Sequence, residues 1–142
     1  MSLWRYQDLK CPNCGQKKQV MVWSTINARV NPEAREDLLH GRINVLTCDG
    51  CGETVRILKT LLYHDMNNKY MVYYFPFEYI NEPEYLDEFD ATGNLFREAD
   101  EINKLIEDGY SPIHYVLDIN EMVRYIRFRE ALAQRKQHNA QE

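Results

Sequence analysis

Four cysteines stand in the sequence as two pairs of one form, Cys11 and Cys14 in CPNCG and Cys48 and Cys51 in CDGCG. Two thiolates three positions apart on a tight turn can reach one metal ion, and a glycine directly after the second cysteine supplies the positive φ that closes the turn. Gly15 and Gly52 hold that position. Together the pairs make a Cys₄ set, the closed tetrahedral arrangement that suits a structural zinc at about 2.3 Å per sulfur and leaves no position for substrate. One structural Zn²⁺ on Cys11, Cys14, Cys48 and Cys51 is the expected cofactor. Spacing alone leaves iron open. The other chemistry of Cys-x-x-Cys is a thioredoxin-like redox pair, but those cysteines cap a helix, and each pair here runs into strand-like residues, QVMVWSTI and TVRILKTLLY.

Other chemistry-bearing residues are sparser. His64 and Asp65 stand beside Tyr63 at an expected turn, a grouping that suits acid–base work, although Asp at a turn more often bonds its own backbone. His40, at the end of an expected helix, reads as a residue that complements the helix dipole rather than as a fifth ligand. His114 and His138 form no pair at ligand spacing, and the sequence has no phosphate-binding glycine loop, nucleophile elbow or two-histidine metal motif. No catalytic residue is assigned, and an enzyme using His64 and Asp65 is the minor reading.

Two further features bear on partners. YMVYYFPFEY concentrates Tyr70, Tyr73, Tyr74, Phe75, Phe77 and Tyr79, which would stack bases if exposed in a basic groove and otherwise pack a core. The last helix carries Arg124, Arg127, Arg135 and Lys136, interrupted by Glu121 and Glu130. A net charge of −5 and a pI near 5.4 weigh against nucleic acid as the main partner. A protein partner is expected, with nucleic acid as the alternative.

The elements that must position the cysteines follow from pattern. A chain of 142 residues fits one domain, and hydrophobic residues at 44% with charged residues at 27% give an ordinary globular composition. No apolar run reaches membrane-spanning length, and MSLWRYQDLK lacks the apolar core of a secretion signal, so the expected compartment is cytoplasmic and the expected state of the cysteines is thiolate rather than disulfide. KKQVMVWSTINARV predicts a strand with Val20, Val22 and Ile26 on one face and Met21 and Trp23 on the other. NPEAREDLLHG predicts a short helix from Asn31 as N-cap through Pro32 to a stop at Gly41. RINVLTC then predicts a strand that delivers the second cysteine pair, and TVRILKTLLYHDMNNKYMVYYFPF a hairpin turning at Asp65 to Lys69. An acidic loop covers 78–93, with Tyr85, Leu86 and Phe89 as anchors. Over 94–136 the pattern predicts a helix capped by Asn94 with Leu95, Ala99, Ile102 and Ile106 buried, then the short strand SPIHYVLDI, then a helix capped by Asn120.

CPNCG, the segment WSTINARVNPEAREDLLHGRINVLTCDGCG, and LLYHD with the apolar strand ending at Pro76 resemble the bacterial CpXC domain, named for its Cys-Pro-x-Cys pair. The resemblance is most specific over residues 9–77 and looser over HYVLDINEMVRYIRF. It implies the zinc-ribbon fold and carries no activity with it. The expected architecture is a single α+β domain over 1–142: a Cys₄ zinc ribbon with an inserted short helix, an antiparallel sheet with a hairpin, and two C-terminal helices. Its expected role is a zinc-binding, non-catalytic module of protein interaction or regulation.

Overall fold

Two hairpins carry the cysteine pairs. In the computed structural model, which describes residues 2–95 and 99–141, β1 (Leu3–Lys10) runs antiparallel to β2 (Lys17–Asn27), with Lys10 opposite Lys17 at the closed end. β3 (Val45–Thr47) pairs with β4 (Thr54–Arg56) in the same way, with Thr47 opposite Thr54. The first hairpin belongs to a five-stranded sheet ordered β1-β2-β5-β6-β7, and the second forms a separate two-stranded sheet. β5 (Leu61–Asp65) and β6 (Tyr70–Tyr74) form the expected hairpin, and β7 (His114–Val116) closes the far edge. The predicted strand after Cys51 is thus broken in two: β4 stays with the cysteine ribbon, and β5 joins the large sheet.

That sheet is mixed. β2 pairs with β5 in parallel, and β6 pairs with β7 in parallel, while the remaining ladders are antiparallel. α1 (Pro32–Leu39) lies in the connection between β2 and β3. It starts at Asn31 and Pro32 as predicted, and at its end Arg42 N–H reaches the Asp37 carbonyl at 2.7 Å and Gly41 N–H the Leu38 carbonyl at 3.1 Å. This pair of bonds is the Schellman ending of a helix.

β2 departs from strict alternation. Leu3 faces Thr25 and Trp4 faces Trp23, so Ser24 is an extra residue without a partner, a β-bulge. The bulge changes which side the following residues take. Val20 and Val22 pack with Cys11, Leu46 and Cys48, whereas Trp23 and Ile26 share the main core, with Met21 packed against it. Ile26 is therefore on the face of Met21 and Trp23, not on that of Val20 and Val22 as simple alternation predicts.

Both faces of the central strands β5 and β6 are covered. On one, α1 and the long α4 (Ile119–Gln141) enclose a core in which Ile26, Leu38, Tyr63, Tyr70, Met122 and Ile126 are buried. On the other, Met71, Tyr73 and Phe75 pack with Leu95 and Ile113. Tyr79, Tyr85, Phe89 and Leu105 close over that second cluster from a 3₁₀ turn (Phe77–Tyr79), α2 (Pro83–Leu86), the acidic loop and α3 (Ala99–Glu107). Of the predicted anchors in the loop, Tyr85 and Phe89 serve and Leu86 stays 41% exposed.

Two predicted caps are corrected. α3 spans Ala99–Glu107, and Asn94 is bound into a turn whose Asp90 Oδ1 accepts its N–H at 3.1 Å. Of the predicted stripe, Leu95 is buried but Ile106 is 43% exposed, because Leu105 is the residue that turns inward; the side chains of Ala99 and Ile102 lie outside the described residues. For α4 the cap is Asp118 rather than Asn120, since Asp118 Oδ1 accepts the Asn120 N–H at 2.7 Å, the geometry of an N-cap acting on the second helical residue.

Candidate metal centre

The two cysteine turns have the same backbone geometry. Cys11 N–H donates to the Gln16 carbonyl at 2.9 Å and Gly15 N–H to the Cys11 carbonyl at 2.8 Å. In the second turn Cys48 N–H donates to the Glu53 carbonyl at 2.8 Å and Gly52 N–H to the Cys48 carbonyl at 2.9 Å. Gly15 at φ 77° and Gly52 at φ 75° take the left-handed conformation that this closure needs. Each turn sits at the tip of its own hairpin, so the strands set both the position and the direction of the sulfurs.

The tips face one another, and the four Sγ atoms lie within 4.8 Å of each other. The Cys11 and Cys51 sulfurs are 3.7 Å apart and those of Cys14 and Cys48 are 3.5 Å apart. A tetrahedron with arms of about 2.3 Å has edges of about 3.8 Å, so the cluster has the size of a metal–thiolate site. These four residues could hold a metal ion. Cys11 and Cys48 are buried, and Cys14 and Cys51 are exposed.

The sulfurs shift one another's protonation. The Cys51 thiol is pulled down to about 6, first by the Asn13 side chain and then by the Glu53 backbone. Cys14 is pushed up to about 12: the Gln16 backbone favours its thiolate, and the Cys48 sulfur, burial and the other two thiols together outweigh that. Four thiolates at this spacing repel one another, and a bound cation is what allows all four to ionise at once.

Three contacts fix the ribbon to the large sheet beside the sulfurs. Lys18 Nζ donates to the Thr47 carbonyl at 2.7 Å and pairs with Asp49 at 3.5 Å. Val20 and Val22 form the apolar floor under Cys11 and Cys48. Asn44, at φ 53°, accepts the Trp23 N–H on Oδ1 at 2.7 Å and returns Nδ2 to the Trp23 carbonyl at 3.0 Å, while its own carbonyl accepts from Ile57 at 2.8 Å. One buried side chain thus satisfies both backbone groups of Trp23, as a neighbouring strand would. Sequence reasoning passed over Asn44; the available signal was an asparagine, a residue tolerant of positive φ, just ahead of a strand.

The other candidates lie away from the sulfurs or inside the fold. Asp65 is buried and accepts the Asn67 and Asn68 N–H groups on Oδ1, each at 2.9 Å, with Asn68 Nδ2 on Oδ2 at 3.0 Å. His64 Nε2 meets the Tyr110 hydroxyl at 2.8 Å, and burial pushes the imidazole below its usual range. His40 Nδ1 faces the Glu36 carbonyl of α1 at 2.8 Å, and His114 stacks on Tyr125 at 3.8 Å. Tyr70, Tyr73, Tyr74 and Phe75 are buried, and Tyr79 stacks on Tyr85 at 4.2 Å, so of that aromatic run only Phe77 is largely exposed. Arg127 reaches the Leu39 carbonyl at the end of α1, whereas Arg124, Arg135 and Lys136 are exposed on α4.

The sequence profile of the family described as CpXC protein matches residues 9–136. The chain belongs to the CpXC family. The match takes in both cysteine turns, α3, β7 and most of α4 but only the last two residues of β1, so the CpXC unit includes the C-terminal part that resembles the family only loosely when read by motif. No curated protein and no solved structure matches the chain. No helix among the described residues is long and apolar enough to cross a membrane.

Proposed function

We propose that this CpXC protein binds one structural Zn²⁺ through Cys11, Cys14, Cys48 and Cys51 and serves as a non-catalytic module of protein interaction or regulation. The observation that carries the metal reading is the meeting of two glycine-closed hairpin tips with four sulfurs inside 4.8 Å. Zinc favours such an all-thiolate tetrahedral set and would supply charge neutralisation and a cross-link between the two hairpins. A four-sulfur site leaves no ligand position for a substrate, which favours a structural role.

Exposed apolar side chains support the interaction reading. Leu3, Trp4 and Tyr6 on β1 are 52%, 46% and 55% exposed. Nucleic acid as a partner would have to rest on Arg124, Arg135 and Lys136, because the aromatic strand that could stack bases is inside the fold. Such binding would weaken steeply with salt, and an apolar protein contact would not.

The experiment is Cys48→Ser in a zinc-replete expression. Cys48 is 3% exposed and its sulfur lies between the two turns. Loss of metal together with a stability loss of roughly 4 kcal/mol or more is expected, the class of effect that follows removal of a metal site. Unchanged metal content with unchanged melting would overturn the structural role.

A further inference from the structure

β1 is the outermost strand of the large sheet, eight residues long, and six of its residues are exposed. Its outer edge presents backbone N–H and C=O groups with no strand beside them among the described residues. Folds usually blunt such an edge with a short strand, charged side chains, a proline or a bulge; β1 has Arg5, Asp8 and Lys10 but places all of them beside the apolar Leu3, Trp4, Tyr6 and Leu9. The opposite edge is blunted in this way, since β7 has only three residues. β1 has no proline, and the irregularity beside it falls on β2 at Ser24. It also exposes three large apolar side chains, Leu3, Trp4 and Tyr6. The Trp4 and Tyr6 rings touch edge to face at 5.3 Å and Trp4 leans on Trp23 at 6.2 Å, while Leu9 packs toward the cysteine ribbon on the other face.

We propose that two copies of this chain join edge to edge through β1, antiparallel, about a two-fold axis at Tyr6, to make one continuous ten-stranded sheet. The occupant follows from the strand's own complementarity. A two-fold axis normal to the sheet keeps each face on its own side, so only residues of like parity can oppose one another. Centred on Tyr6, the register sets Tyr6 against Tyr6, Leu3 against Leu9, Trp4 against Asp8 and Arg5 against Gln7. No like charges are directly opposed. Centring on Arg5 or Asp8 instead sets two equal charges face to face, and centring on Gln7 sets Arg5 against Leu9 and leaves Leu3 with no partner in the strand, each of which costs stability. Arg5 and Gln7 already suit each other, because with the Gln7 amide turned its oxygen accepts from Arg5 Nε and Nη2 at 3.2 and 3.1 Å along one strand. Strand addition of this length lies at the small end of specific interfaces, under about 1,200 Å² in total, so the dimer is concentration-dependent. The proposal does not depend on the metal reading.

The test uses the 142-residue chain purified without chelator, whose polypeptide mass is 16.9 kDa. Sedimentation equilibrium over a range of micromolar concentrations should show a shift toward twice that mass, and amide exchange in β1 should slow as concentration rises. Tyr6→Lys and Tyr6→Glu each place like charges across the axis, and each should remain monomeric. Mixed in equal amounts, the two should associate again, a rescue that a merely damaged fold does not give. A wild-type chain that stays monomeric throughout, a dimer that survives either single substitution, or a mixture that fails to associate overturns the proposal.

Discussion

At the residue scale, the cysteine turns work because their glycines do. An added Cβ at Gly52 meets no atom within 4 Å, so Gly52→Ala changes only the backbone preference at φ 75°. Left-handed backbone costs a non-glycine residue about 1–2 kcal/mol, and a loss of that size in chemical denaturation, with zinc retained, is expected. A variant as stable as the parent would contradict the turn geometry. His64 offers a second test. Burial lowers its pKa in the fold, so the unfolded chain takes up the proton first, and stability should be full above about pH 6.5 and fall as pH drops below it. Melting curves from pH 8 to pH 5 should therefore slope downward, and His64→Gln should flatten that slope; equal slopes in both proteins would remove His64 as the cause. The cysteine set was legible from spacing alone because both turns are local. Asn44 was not, because its role depends on Trp23, which meets it only in the folded chain.

At the element scale, local signals identified the right elements and distance hid their pairing. α1 announces itself with Pro32 at its start and Gly41 past its end, and the β5–β6 turn with Asp65 and two asparagines. The parallel ladders β2–β5 and β6–β7 join segments far apart in sequence, and nothing local specifies them. β1 carries charged and polar residues on both faces because it lies at an edge, so its pattern has no strand period to read. At α4, Asp118 and Asn120 are both good capping types two residues apart, and only the bond to the Asn120 N–H distinguishes them. Replacing a capping Asp by Ala costs about 1 kcal/mol, so Asp118→Ala should lower stability by that amount and Asn120→Ala by a few tenths, measured in urea. The reverse order would restore Asn120 as the cap.

At the scale of the whole molecule, the separation of the cores sets how much a bound metal would support. The cluster around Cys11, Val20, Val22, Leu46 and Cys48 is separate from the one that holds Tyr63, Tyr70, Met122 and Ile126. Chelation should therefore loosen the cysteine ribbon and leave the α1/α4 core in place. Hydrogen exchange after treatment with a strong chelator should show β3, β4 and the tip of the β1–β2 hairpin losing protection while β5 and β6 keep theirs; uniform loss across the chain would show that the metal holds the entire fold. The α+β class was readable from pattern, but the aromatic strand's place inside was not, since tyrosines suit an exposed face and a core alike until the elements that cover both sides of the strand are placed. The central claim is that four sulfurs from two hairpins hold one ion. Native mass spectrometry of the protein purified without chelator tests it most directly: one zinc per chain, lost with Cys48→Ser, is the expected result, and chains that carry no metal under zinc-replete conditions would contradict it.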